Sequence, residues 1–240
     1  LRDHDRDFLA TYMLPVVYDL DSGKSCKRFL AYLGETVQTA GPMMQLQEFA
    51  GYCLTPSTAF EKCLLLLGPG ADGKSTFLKV LRELVGAENC AAVSFSDLED
   101  QFQRSSLYNK LLNISTEVGG RAIESAYFKA ITSGDPLNAA FKHRNAFEFC
   151  PTCKLAFAAN RLPRVLENSD GYFRRILPVQ FKRQFIDDYD PDLFGKLKAE
   201  LSEIFVWAVE GLQRLWEQRG FTKCDETSRL MQDYRRENNP

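Results

Sequence analysis

Gly68-Pro69-Gly70-Ala71-Asp72-Gly73-Lys74-Ser75, followed by Thr76, packs glycines, a lysine and hydroxyls into one short stretch. The spacing is G-x-x-x-x-G-K-[ST], and each residue type has a mechanical role in holding a triphosphate. The glycines let successive backbone N–H groups turn toward one anion, in conformations a Cβ would forbid. A helix starting near Lys74 adds the positive end of its dipole at the same point. Lys74 can reach the β- and γ-phosphates as a mobile charge, and the Ser75 hydroxyl can bind Mg²⁺, with Thr76 beside it. ATP and Mg²⁺ are therefore the expected cofactors, with residues 68–76 as the nucleotide-binding loop.

Hydrolysis also needs a carboxylate at the end of a neighbouring strand, to orient water and assist the metal. Lys110-Leu111-Leu112-Asn113-Ile114-Ser115-Thr116-Glu117 ends in one acid, so Glu117 is the expected water activator and a candidate Mg²⁺ contact. Thr116 stands where a second acid would be. The apolar run Lys154–Ala159 ends in Asn160, a polar amide at the carboxyl end of a strand, where ligands lie in parallel sheets. Asn160 is a candidate to position the attacking water. Arg174 and Arg175 are candidates for an arginine supplied across a subunit boundary to the transferring phosphoryl group. Adjacent arginines project differently, and the sequence does not choose between them. Between these lies Ala139–Phe149, with Lys142, His143 and Arg144 flanked by aromatic-containing arms. That pattern suits a β-hairpin whose cationic tip meets a phosphate backbone.

These groups need a scaffold. Cys63–Leu67 is a continuous apolar run that fits a buried strand leading into the loop, and Ser75–Val85 has helical periodicity leading out. Further apolar runs at Leu111–Ile114 and Lys154–Ala159 alternate with helical or loop segments, which indicates an α/β fold with a parallel sheet covered on both faces. The expectation is a P-loop NTPase core over residues 59–240, with C-terminal helices near 190–218. It is preceded by a helical region, residues 1–58, with segments at Asp7–Met13, Cys26–Val37 and Met43–Tyr52. The polar last dozen residues and the Leu1 start read as edges of a piece of a longer chain.

The bulk numbers narrow the partners. Hydrophobic residues are 45% and charged residues 26% of 240, an ordinary globular balance, and no apolar run approaches membrane-spanning length. Net charge is −2, so contact with nucleic acid requires a local patch. One stretch supplies it: between Ala140 and Arg183 nine Lys and Arg stand against three Asp and Glu. The seven cysteines are scattered, several in apolar runs, which suits a reducing cytoplasm. Cys150 and Cys153 form a lone C-x-x-C without the second ligand pair that zinc needs.

The order of these motifs, together with Lys129-Ala130-Ile131-Thr132-Ser133-Gly134-Asp135, resembles superfamily 3 helicases, most of all the phage and plasmid primase–helicase branch that includes the poxvirus primase–helicase. Leu46–Leu54 is similar to the helical lead-in of that branch. The resemblance implies a modified AAA+ fold, a homo-hexameric ring with ATP between subunits, and 3′-to-5′ travel on single-stranded DNA. It further implies a fused or separate primase domain and a setting in a bacterial host or its phage. Lys142 and His143 would lie on a central-channel hairpin; Lys129 and Asp135 fall in an additional motif, with Lys129 near nucleotide. Two positions depart from the family: Asp72 where Asn is usual, and Ser133 where Gly is common. A nucleotide-gated DNA-binding or assembly ATPase, and a P-loop small-molecule kinase, are the alternatives.

Overall fold

The computed structural model describes Asp7 and residues 10–19, 25–116, 126–163 and 169–238. Its centre is a sheet of five strands: β1 (Cys63–Leu67), β2 (Cys90–Ala91), β3 (Leu112–Ser115), β6 (Lys154–Ala159) and β7 (Ile176–Gln180), in the order β2-β3-β6-β1-β7. Every neighbouring pair is parallel, so the five carboxyl ends share one edge.

Alternation along each strand sends its residues into two separate cores. Leu64, Leu66, Ala156, Ala158, Leu177 and Val179 face α1 (Lys27–Val37), α2 (Ala40–Cys53), α3 (Lys74–Val85) and α8 (Leu201–Glu217). Cys63, Leu65, Leu67, Leu155, Phe157 and Ile176 face the other way. There they meet Phe128 and Ile131 of α5 (Ala126–Ser133) and Tyr234 of α9 (Asp225–Asn238). Burial on both sides explains why β1 reads as an unbroken apolar run. Pro178 is tolerated because β7 is an edge strand, hydrogen-bonded to β1 alone.

A short α4 (Gln101–Arg104) precedes β3, and β4 (Leu137–Ala140) and β5 (Ala146–Phe149) form a separate antiparallel hairpin. The small α6 (Asp170–Phe173) leads into β7, and α7 (Leu193–Lys198) leads toward α8. The boundary expected near residue 58 falls in the turn between α2 and β1, yet α1 and α2 share one core with α3 and the sheet. Helix α2 also meets α8 backbone to backbone. A Cβ on Gly51 would lie 2.2 Å from the Ala208 carbonyl, and one on Gly211 would lie 2.4 Å from the Gln47 carbonyl. The Glu48 carboxylate is buried at this contact, accepting from Arg214 Nε (2.8 Å), Gln218 Nε2 (2.7 Å) and the Thr222 amide (2.8 Å).

Residues 10–19 carry no helix, whereas apolar spacing suggested one over Asp7–Met13; residues 8 and 9 of that span lie outside the described residues. The stripe at 190–218 is two helices, α7 and α8, separated at Ala199 and Glu200. The polar tail is helical as α9, tied in by Tyr234, whose hydroxyl lies 3.0 Å from that of Tyr172 and donates to the Pro163 carbonyl at 2.7 Å.

Candidate active site and nucleic-acid interface

β1 ends at Leu67, and the chain turns through Gly68–Gly73 before α3 starts at Lys74. Gly70 has φ +103° and Gly73 φ +90°, both in the left-handed region, where glycine alone avoids the steric cost of a Cβ. The Gly73 backbone is also gripped from α1: the Tyr32 hydroxyl donates to its carbonyl at 2.7 Å, and a Cβ there would lie 2.9 Å from the Tyr32 ring.

The loop's donors converge on an anion supplied by the chain. The buried Asp72 carboxylate accepts from the Gly70 amide (3.1 Å), the Lys74 amide (3.3 Å) and Lys74 Nζ, which also donates to the Gly68 carbonyl at 2.9 Å. Backbone nests at helix N-termini favour any carboxylate or phosphate oxygen, so the donor set fits a phosphate, and Asp72 competes for the same donors. Ser75 is exposed at the loop's edge and Thr76 half-buried, leaving the Ser75 hydroxyl accessible to a phosphate-bound Mg²⁺.

A cavity of about 690 Å³ opens beside the loop, lined by Tyr32 and Glu35 of α1, Gly73, Lys79, Tyr189 and Phe194. Its outer wall is the segment after β7, which drapes over the loop. Phe181 N donates to Leu67 O (2.7 Å), Lys182 N to Thr36 O (2.8 Å), Gln184 Nε2 to Gly70 O (3.0 Å) and Phe185 N to Ala71 O (2.7 Å). Sequence reasoning missed Tyr32 and this strap. Residues 181–192 show no helix or strand period, and their contacts with the loop span more than a hundred positions, so no local signal marks them.

Asn160 follows β6, which is level with the loop because Ala159 pairs with Leu67 and the Gly68 amide donates to Ala159 O at 3.3 Å. A second cavity, about 930 Å³, is lined by Gly68, Pro69, Asn160, Gln180 and Lys182. β3 also ends at this edge but is not adjacent to β1, because β6 lies between them. Glu117 lies outside the described residues; Thr116 before it is exposed.

The arginines sit at the opposite edge. Arg175 O accepts from Cys63 N (2.8 Å) at the amino end of β1, which puts the pair a strand length, roughly 16 Å at ~3.3 Å per residue, from their own phosphate cradle. Arg175 is buried: its guanidinium donates to Gly171 O (2.6 Å) and Ser133 Oγ (2.6 Å) and lies 3.0 Å from Glu61. Ser133 thus has a structural use. Arg174 is exposed, paired with Glu61 at 2.7 Å. Lys62 donates to Arg174 O, and burial followed by the Arg174 charge lowers its pKa to about 8. Lys129 runs alongside Gly171, its Cδ 3.7 Å from where a Cβ would stand there, and Asp135 is exposed. Lys129 therefore keeps company with the arginines rather than with the loop of its own chain.

The hairpin pairs Leu137 with Phe149 through Ala140 with Ala146, leaving Lys142, His143 and Arg144 exposed at its tip. His143 has φ +63°, and Arg144 N donates to Phe141 O (3.0 Å) to close the turn. The basic stretch seen in the sequence is only partly a surface: Lys154 and Arg175 are buried. Among the described residues no group of three His, Cys, Asp or Glu comes together to hold a metal, and no helix is long and apolar enough to cross a membrane.

Known proteins bear on this arrangement in three ways. A family of unknown function, DUF5906, matches residues 66–175, the stretch from the end of β1 to Arg175. The L207/L206 protein of Acanthamoeba polyphaga mimivirus, whose name proposes a helicase, is 26% identical over an alignment of 172 residues that covers 67% of this chain and 17% of that protein. Apo structures of the NrS-1 C-terminal region superpose with a TM-score of 0.63 at 15% identity over 79% of this chain and 48% of theirs. Another of them gives 0.62 at 15% identity over 84% and 52%. The chain thus has the fold of the NrS-1 region, and it spans about half of those structures and a sixth of the mimivirus protein.

Proposed function

We propose that this chain is the ATP-hydrolysing domain of a helicase-type motor that acts on single-stranded DNA in replication. The observation that carries the reading is the cradle: amides of Gly70 and Lys74 and the Lys74 ammonium converging on an anion at the carboxyl end of a parallel sheet. The mimivirus relative's name and the exposed cationic hairpin support DNA as the partner. Bound ATP and Mg²⁺ would supply the phosphoanhydride and its charge neutralisation. The residues of this chain would do the rest. Gly68–Gly73 and Lys74 would hold the phosphates once Lys74 exchanges Asp72 for them, and Ser75 would hold the metal. Tyr32, Tyr189 and Phe194 would enclose the nucleoside end in the adjoining cavity. Asn160 would position water and Glu117 accept its proton.

Arg174 and Arg175 lie too far from their own cradle to act there, which supports a neighbouring subunit's site as their target and a ring as the working assembly. Arg174 is the better candidate to reach across, because Arg175 is committed to Gly171, Ser133 and Glu61. Loss of such a contact after hydrolysis would free the interface and shift the hairpin, a two-state switch of the P-loop kind. A small-molecule kinase would have no use for Lys142, His143 and Arg144. Strand displacement on a tailed duplex tests the reading, with Lys74→Ala and Lys142→Ala as controls. Wild type should unwind, Lys74→Ala should lose turnover, and Lys142→Ala should lose stimulation by DNA. ATP hydrolysis without any unwinding, with flanking domains present, would instead favour the non-translocating assembly ATPase.

A further inference from the structure

We propose that Phe141 is a base-stacking site for single-stranded nucleic acid, beyond the phosphate contacts expected of Lys142, His143 and Arg144, which follow it. The proposal rests on the reading of the hairpin as a nucleic-acid contact. Residues 137, 139 and 141 line one face of the first arm, and exposure along that stripe runs from 6% at Leu137 and 0% at Ala139 to 40% at Phe141. The partner arm behaves the same way, from Phe149 at 8% to a half-buried Phe147. The apolar stripe therefore continues past the core and ends in a large ring in solvent. A hairpin needs nothing apolar there, since its core face is already filled by Leu137, Ala139 and Phe149.

The ring is held, not loose. Phe141 stacks on Phe147 with centroids 5.0 Å apart and planes 13° apart. Phe147 is braced edge-on by Tyr108 at 5.3 Å and by a tilted Phe149 at 5.7 Å, and Tyr108 meets Phe149 edge-on at 5.7 Å. One face of Phe141 is thus covered, while no described ring packs on the other. Beside it, Lys142, His143 and Arg144 are exposed and the turn is closed by the Arg144 amide on the Phe141 carbonyl at 3.0 Å. The acid of the hairpin, Glu148, alternates onto the face opposite Phe147. A pre-set aromatic face with cations at its side matches a base and its flanking phosphates, and stacking of this kind tolerates any sequence. Duplex DNA hides its base faces, so the fitting ligand is a single strand with an unstacked base.

The test compares binding of a fluorescent thymidine oligonucleotide with that of an abasic oligonucleotide of equal length and phosphate count, in the presence of a non-hydrolysable ATP analogue. Stacking is worth ~1–3 kcal/mol per base, or about 5- to 150-fold in affinity. Wild type should prefer the thymidine strand by a factor in that range. Phe141→Ala should erase the preference and leave abasic binding unchanged, and Phe141→Leu, which keeps an apolar contact with Phe147, should behave like Phe141→Ala. Equal weakening of both strands by Phe141→Ala, or full rescue by Phe141→Leu, would reduce the ring to a packing role. A wild type that binds both strands equally would overturn stacking but keep the phosphate reading, provided Lys142→Ala weakens both. Binding of neither strand would remove the nucleic-acid reading of the hairpin itself.

Discussion

The two edges of the central sheet use cations in opposite ways. At the carboxyl edge, Lys74 is buried against a carboxylate two residues away and a carbonyl six residues away. At the amino edge, Arg175 and Lys154 are each buried against several groups, some near in the chain and some distant; for Arg175 these are Gly171, Ser133 and Glu61. Lys154 Nζ donates to the carbonyls of Thr55, Ser57 (3.2 Å) and Thr152 (3.0 Å) and lies 5.0 Å from the Tyr52 ring centroid. A lysine whose partner is a short side chain can trade it for a phosphate. Lys154, locked onto three backbone carbonyls, has nothing to exchange. The comparison teaches that burial of a positive charge marks chemistry only where its partner can move.

Four experiments would break or sharpen that contrast. The largest effect should come from Lys74→Ala, which removes the exchangeable charge: ATP turnover should fall by about 10²-fold or more, read by steady-state phosphate release. Next, Arg175→Ala should cost on the order of 3 kcal/mol in chemical denaturation, because it leaves Glu61 and Ser133 short of a buried partner. Arg174→Ala should change stability by no more than about 0.5 kcal/mol yet lower turnover in the assembled state. Equal stability losses for the two would erase the distinction between them.

A third experiment follows the pH dependence of Lys154. Burial lowers its pKa to about 8, against the pull of Cys53 and Cys153 toward the charged form, from an ordinary value of 10.5. Between those values the unfolded chain binds more protons, so this group makes stability rise with pH across that window and leaves it flat below. The stability difference between wild type and Lys154→Met should therefore climb by ~2–3 kcal/mol from about pH 8 to 10.5. Taking the difference also cancels the buried thiols Cys26 and Cys63, whose raised pKa values act in the opposite direction. A flat difference would mean that the three carbonyls keep the ammonium as acidic as in water. The smallest effect is predicted for Asp72→Asn. It removes the competing anion from the cradle, so the nucleotide Kd should drop by about tenfold, roughly 1.4 kcal/mol, in titration calorimetry. An unchanged or weaker Kd would show that Asp72 supports binding rather than opposing it.

The same contrast explains what the sequence made legible. The carboxyl edge is local: strand, loop and helix follow one another from Cys63 to Val85, so eight consecutive residue types announce the cradle. The hairpin was legible for the same reason, its arms lying within a dozen positions. Nothing local, however, says that Arg175 turns inward to Ser133 while Arg174 stays in solvent, or that Tyr32 closes on Gly73 from 41 positions away. Nor could periodicity show that β6 would enter the sheet between β1 and β3, since order across a sheet is set by packing between segments far apart in the chain. Residues 10–13 of the helix expected over Asp7–Met13 are not helical, because apolar spacing without a start signal does not make a helix.

The backbone contact of α2 with α8 bears on how the molecule can be cut. Gly51 and Gly211 admit no side chain between the two helices, so α2 and α8 belong to one packed unit. A minimal ATPase fragment started at β1 would bare the face of α8 and strand Arg214 without Glu48, and should aggregate. Any expression boundary therefore belongs ahead of α1, with α8 retained at the other side.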